Sequence, residues 1–259
     1  MMGQASFDLI VIGAGQAGPF LAAKLAHAGK KVALIEARQL GGTCVNRGCT
    51  PTKTLRKSAR VAYMARRAAE FGVDVGPVTV NFGVAMARMR KRITDARTGL
   101  EGWLGALPGL TIHYAHGQLA GRDGADFIVQ AGEHTLRAPQ VVLNTGTRSF
   151  MPPIPGLSTV PALDSEGLLA LDELPKKLVI IGGGYISLEM AQIFRRLGAE
   201  VSVIENNPRL TSREDLDVSA AITDLLLSEG IEVITGAKVE SVQPGDLPGH
   251  SRVQLTDGR

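Results

Sequence analysis

The sequence predicts an α/β fold built twice, as two three-layer domains that each set helices against a parallel sheet. Two observations carry that expectation. An apolar run, a glycine-rich turn and a helical stretch open the chain, and the same succession returns at a constant spacing of 169 residues. Composition agrees: hydrophobic residues make up 44 %, charged residues 20 %, and 31 glycines suit an architecture with many tight strand-to-helix turns. At 259 residues the chain can bury two cores.

In the first copy, Asp8 to Ile12 is a short apolar run, expected of a strand buried on both faces. Gly13-Ala14-Gly15-Gln16-Ala17-Gly18 follows, then a helix to about Ala28, stopped by Gly29. The next strand, from Lys31 to Ile35, ends on Glu36. Each residue type has a task in a dinucleotide site. Gly13 makes the tight turn, Gly15 lets backbone approach a pyrophosphate, and Gly18 permits close helix–strand packing. Glu36 can hydrogen-bond ribose hydroxyls, and the helix N-terminus offers unpaired N–H groups to phosphates.

The second copy keeps the register. Gly13 and Gly182, Gly15 and Gly184, Gly29 and Gly198, and Glu36 and Glu205 are all 169 residues apart. Ser187 stands where the third glycine would be, still small enough for close packing. Two Rossmann-like units are therefore expected, in domains 1–150 and 151–259, joined through the stiff stretch Met151 to Gly156.

Between the copies, Thr54 to Glu70 reads as a helix with an apolar stripe at Leu55, Ala59, Ala62 and Tyr63. A second helix is expected from Phe82 to Leu104, where Met86, Met89 and Ile93 have the spacing of packing residues. Strands are expected at Thr111 to Tyr114, Asp126 to Gln130 and Thr135 to Leu143, with His113 and His116 as ordinary strand and turn residues. Asn144-Thr145-Gly146-Thr147 is a small turn suited to close approach of a ligand. Beyond the second copy, Leu216 to Ser228 has helical spacing, Ile231 to Ile234 reads as a strand, and Val239 to Val242 and Arg252 to Thr256 alternate as a hairpin would. The closing Asp257-Gly258 is a hairpin-turn signal with no strand after it.

The block Gly41 to Lys53 contains the only two cysteines, Cys44 and Cys49. On an unbroken helix, residues five apart point in different directions, so a bond between these two needs a distorted turn, which Gly48 can supply. Pro51 favours a helix starting near Cys49, where the helix dipole stabilises a thiolate. Taken alone, such a pair is more often two inert thiols than a redox couple.

Composition excludes several classes. The net charge is +3, with 28 Lys and Arg against 25 Asp and Glu, and aromatics are only 4 %, so neither a nucleic-acid partner nor a base-stacking platform is expected. Two cysteines make no disulfide framework and lack metal-site spacing, so no metal site is expected. With no leader pattern at the start and no long apolar run, no membrane association is expected and a cytoplasmic location is.

Two glycine-turn units flanking this cysteine block resemble the flavoprotein disulfide reductases, the class I pyridine nucleotide-disulfide oxidoreductases. Four motifs carry the likeness across essentially the whole chain: Gly13 to Gly18, Gly41 to Lys53, Asn144 to Gly146, and Gly182 to Glu189. It looks most like the mercuric-reductase-like members, with the dihydrolipoamide-dehydrogenase-like members as the alternative. The resemblance implies FAD in the first domain, held by Gly13, Gly15, Gly18, Glu36, Gly42, Thr43, Cys44, Lys53, Gly117, Thr145 and Gly146. It implies NADH or NADPH in the second, held by Gly182, Gly184, Tyr185, Ile186, Glu189, Glu205 and Val239. Cys49 would be the charge-transfer thiol and Cys44 the interchange thiol, with Lys53 and Glu189 paired beside the flavin.

Electrons would pass from NAD(P)H through flavin to a Cys44–Cys49 disulfide and on to a small-molecule disulfide or a metal ion. Glu205 would repel a 2′-phosphate and favours NADH, although Arg209 lies close in sequence. Arg47 adds a cation between the cysteines where the family more often has an apolar residue. Family members continue into a dimerisation domain carrying a His–Glu acid–base pair. The chain is therefore expected to be a C-terminally truncated form of a homodimeric enzyme, with an incomplete second domain and no dimerisation domain. From other classes, a non-catalytic flavin-binding redox sensor or an inactive fragment would share these motifs.

Overall fold

The computed structural model describes residues 5–259. By proximity the chain divides into two compact units, Met1–Pro51 with Met89–Arg148, and Thr52–Arg88 with Ser149–Arg259. In the first, β1 (Ala5–Ser6), β2 (Leu9–Ile12), α1 (Ala17–His27), β3 (Val32–Glu36) and the short α2 (Gly42–Arg47) come in succession. The division then falls within two helices, α3 (Cys49–Arg66) and α4 (Phe82–Gly105). The first unit ends with β4 (Leu110–Tyr114), β5 (Gly117–Asp123), β6 (Asp126–Ala131), β7 (His134–Ala138) and β8 (Val141–Leu143).

Three layers build this first unit. A parallel sheet in the order β4-β3-β2-β8 forms the middle. Leu9, Val11 and Leu34 pack on one face with Ala22 and Ala23 of α1 and Leu104 of α4. On the other face Ile10, Ile12, Ala33 and Ile35 meet Val129, Ala131, Leu136 and Ala138. Those last four belong to the second sheet, β1-β7-β6-β5. The run Leu-Ile-Val-Ile of β2 is thus buried throughout, as an apolar strand without polar alternation should be. Each such side chain contributes about 1.5–3 kcal/mol.

The second unit adds α5 (Ser165–Leu168), β9 (Lys177–Ile181), α6 (Tyr185–Leu197), β10 (Glu200–Ile204), α7 (Leu216–Ser228), β11 (Glu232–Ile234), β12 (Val239–Pro244) and β13 (Ser251–Leu255). Its parallel sheet runs β11-β10-β9, and β12 and β13 form an antiparallel hairpin. That hairpin covers the end of β10, since Val239, Val242 and Leu255 cluster with Ile204 and Ala237.

Segment 52–88, expected with the first domain, groups with the second unit. Phe82 lies against Phe194 with ring centroids 6.2 Å apart. The Arg66 guanidinium donates to the Arg196 carbonyl at 2.5 Å. Arg196 also stacks 4.2 Å over the Tyr63 ring. Its ion pair with Glu229 is deeply buried, the two side chains being 10 % and 3 % exposed. Removing one partner of such a pair leaves an uncompensated buried charge.

Three expectations change. The expected strand from Thr135 to Leu143 is two strands, β7 and β8, in different sheets, because Pro139 has no N–H for a ladder and the chain crosses between layers there. The helix expected to start near Cys49 and to run through Thr54 to Glu70 does start at Cys49 but stops at Arg66, and a 3-10 turn, Ala68–Phe71, follows. β5, rich in glycine and polar residues, was not expected as a strand and is held by its antiparallel ladder with β6.

Candidate functional site

The two glycine turns are laid down by the same backbone bonds. β2 pairs with β3 through Leu9↔Val32 to Ile12↔Ile35, and β9 with β10 through Leu178↔Val201 to Ile181↔Ile204. Gly13 N donates to Ile35 O at 2.7 Å and Gly182 N to Ile204 O at 2.7 Å. Gly13 sits at φ +105° and Gly182 at φ +106°, where a side chain is strained. The acidic residues then fold back onto the turns. Glu36 accepts from Ala14 N at 2.8 Å and Arg38 N at 2.7 Å. Glu205 accepts from Gly183 N at 2.5 Å and Asn207 N at 2.6 Å.

Both turns suit a dinucleotide. α1 and α6 begin without a side-chain cap and without an acid in the first turn, which leaves their first N–H groups to an anion. Gly184 is open, nothing lying within 4 Å of where a Cβ would be. Tyr185 is 78 % exposed at the start of α6, with Ile186 exposed beside it. Val239, by contrast, lies in the cluster under the hairpin, 9 % exposed.

The cysteine block docks on the first turn. Gly41 N donates to Ala14 O at 2.8 Å, and a Cβ on Gly42 would stand 2.7 Å from Gly15 Cα. Gly41 and Gly42 reach φ +92° and +57° to make this approach. Cys44 is half-buried in α2 and Cys49 is exposed as the first residue of α3, with Gly48 breaking the helix between them. Thr43 is exposed on α2. Pro51 lies in the first turn of α3, where its missing N–H has no helical partner to disappoint.

One turn along α3, Lys53 Nζ bonds both oxygens of Glu189, at 2.7 and 2.9 Å. The Lys53 side chain is 60 % exposed and that of Glu189 26 %, so the pair contributes little to stability, under about 1 kcal/mol. Gly117 packs against the first sheet, a Cβ there falling 2.9 Å from Ile12 Cγ2. Thr145 and Gly146 are exposed in the irregular stretch that follows β8 and Asn144, with Gly146 at φ +66°.

Two residues outside the expected site set, Asn144 and Asn46, shape the first turn and the block docked on it, while Arg209 does not reach the second. Asn144 Nδ2 donates to Gly13 O at 2.9 Å. Buried Asn46 donates to both Leu40 O and Gly42 O at 2.9 Å, which ties α2 to the turn that starts it. The Arg209 guanidinium donates to Glu214 O at 2.6 Å and Ser212 O at 2.8 Å, so it is spent on its own loop. An Asn after an apolar strand and an Asn inside the cysteine block were the available signals for the first two.

Residues 7–259 match the family described as pyridine nucleotide-disulphide oxidoreductase. The dihydrolipoyl dehydrogenase of Chlamydia muridarum is 36 % identical over 255 residues, which are 97 % of this chain and 53 % of that protein. The mercuric reductase of Bacillus cereus is 33 % identical over 246 residues, 95 % of this chain and 38 % of that protein. The HOCl-induced flavoprotein disulfide reductase RclA of Escherichia coli superposes with a TM-score of 0.83 at 32 % identity, over 96 % of this chain and 53 % of that one. The chain thus spans about half the length, or less, of these relatives. With both glycine turns and the cysteine block inside the matched region, the chain belongs to the pyridine nucleotide-disulphide oxidoreductase family.

Proposed function

We propose that this chain carries the electron-relay portion of an FAD-dependent oxidoreductase that draws on NAD(P)H and reduces a disulfide or a metal ion. The observation that carries the reading is the seating of the Cys44 helix on the first glycine turn, through Gly41 N to Ala14 O and Gly42 on Gly15. In this reading the first turn, Glu36, Gly42 and Thr43 hold FAD, which when bound supplies a two-electron carrier between nicotinamide and cysteines. The second turn holds the nicotinamide nucleotide, with Tyr185 and Ile186 at its mouth.

Cys44 and Cys49 act as a couple: reduction of their disulfide takes two electrons and two protons and yields two thiols. Cys44 meets the acceptor and Cys49 stays on the cofactor side. The Lys53 ammonium, held by Glu189, supplies positive charge that favours electron-rich states nearby. NADH is the preferred donor. Glu205 presents a carboxylate where a 2′-phosphate would need a cation, and Arg209, bound to two carbonyls of its own loop, is withdrawn from that task.

Between acceptors, a thiol couple can reduce a dithiol-forming disulfide or a thiophilic metal ion equally. The metal-ion acceptor draws support from the mercuric reductase relative, and the lipoamide-type acceptor from the dihydrolipoyl dehydrogenase relative. The test is a thiol count on the FAD-loaded chain after anaerobic NADH. Two new titratable thiols per chain are expected, and none in Cys49→Ser. Appearance of thiols without added FAD, or a matching yield with NADPH after Glu205 is left intact, would contradict the cofactor and the nucleotide assignments respectively.

A further inference from the structure

We propose that Asn144 is a positioning residue that locks the first glycine turn in its ligand-ready shape, making it a slow-exchange site for a resident dinucleotide. The inference rests on the reading of that turn as an FAD site. Gly13 C=O and Ala14 N–H belong to one peptide plane, and both ends of that plane are tied. Asn144 Nδ2 donates to the carbonyl at 2.9 Å, and Glu36 Oε2 accepts from the amide at 2.8 Å. Asn144 is itself anchored, since its backbone N donates to Ile12 O at 2.8 Å as β8 leaves the sheet beside β2.

Two glycines of the turn, Gly13 and Gly18, are shaped to this residue, and Gly15 lies in ordinary contact with it. A Cβ on Gly13 would fall 2.2 Å from Asn144 O, one on Gly18 2.8 Å from Asn144 Nδ2, and one on Gly15 3.4 Å from the same nitrogen. Gly18 is therefore demanded by Asn144 and by Gly13 O, 2.3 Å away, as much as by helix–strand packing. The second turn keeps the carboxylate tie, Gly183 N to Glu205, and Thr211 N donates to Gly183 O at 3.0 Å, but among the described residues no side chain donates to Gly182 O as Asn144 does to Gly13 O. A Cβ on Gly182 would meet only Ser187 Oγ, at 3.8 Å. A glycine peptide can flip at little steric cost. Fixing it beforehand removes an ordering cost from binding and slows release.

The test compares the full chain with Asn144→Ala and with Asn144→Asp, which keeps the shape but cannot donate to Gly13 O. FAD dissociation constants should rise about tenfold in Asn144→Ala and at least as much in Asn144→Asp, while NADH affinity stays within about twofold. Hydrogen exchange of amides 13–18 without ligand should speed up about tenfold in both variants, and that of 182–187 should not change. Unchanged FAD affinity in both variants overturns the proposal, as does equal weakening of NADH with faster exchange at both turns. If the unaltered chain takes up no FAD, the flavin reading fails, and the exchange measurement alone decides the lock.

Discussion

The two glycine-turn units share the strand register and the glycine N–H bond that closes the turn, and differ in what surrounds that frame. β2 is buried on both faces, whereas its counterpart β9 is the edge of its sheet, with Val179 43 % and Ile181 37 % exposed. Ile10 and Ile12, at the matching positions, are 0 % and 6 % exposed. The repeat therefore encodes the turn and the acid that closes it, while its rigidity comes from elements outside the repeat. β8 and the β5-β6-β7 sheet enclose the first frame. For the second, α6 lies against β9 and β10, and the β12–β13 hairpin packs on the end of β10.

Matched substitutions probe this contrast, and the largest effect belongs to the strands. Ile10→Ala should cost about 2–5 kcal/mol, since the cavity opens between two packed layers. Val179→Ala, at the same place in the repeat, should fall within about 0.5 kcal/mol. Urea unfolding, resolved by peptide hydrogen exchange for each unit, reads both. Equal losses would mean that β9 is as enclosed as β2. Next come the turns. Gly18→Ser pushes a Cβ into Gly13 O and should cost about 1–3 kcal/mol together with FAD uptake. The reciprocal Ser187→Gly should cost at most about 1 kcal/mol and leave NADH binding intact.

What could be read from the sequence follows the same line. The frames β2-α1-β3 and β9-α6-β10 were legible because strand, glycine and terminal acid are local signals, and α7 was found at its observed bounds, Leu216–Ser228. Thr135 to Leu143 was misread because one alternating stretch serves two sheets, and nothing local marks the layer change except Pro139. Among the expected site residues, Lys53 and Glu189 were paired by resemblance, and they do meet although 136 positions apart. Asn144 was read only as part of a turn near a ligand, because its bond to Gly13 spans 131 positions and exists only once β8 lies beside β2. Asn46 escaped because its amide works on carbonyls of the preceding turn, which no side-chain pattern announces.

The smallest effect concerns acid, and it too should separate the units. His113 of β4 meets His134 of β7 with ring centroids 5.3 Å apart and Phe7 edge-on at 6.2 Å, so the pair sits between the two sheets of the first unit. Its Nε2 is buried without a hydrogen-bond partner. Burial, reinforced by the charge of His134, holds His113 below the ordinary histidine value. With the native value depressed, the unfolded chain takes up the proton first as pH falls, and unfolding then gains protons. The stability that comes from keeping His113 neutral is present in full above about pH 6.5 and is lost as pH drops from there through the depressed value. The first unit should therefore lose protection as pH falls below about 6.5, and His113→Phe, which keeps a ring against Phe7, should flatten that slope. The second unit has no such pair between sheets among the described residues, and its protection should not change with the substitution. An unaltered slope in His113→Phe would mean that His113 does not carry the acid sensitivity of the first unit.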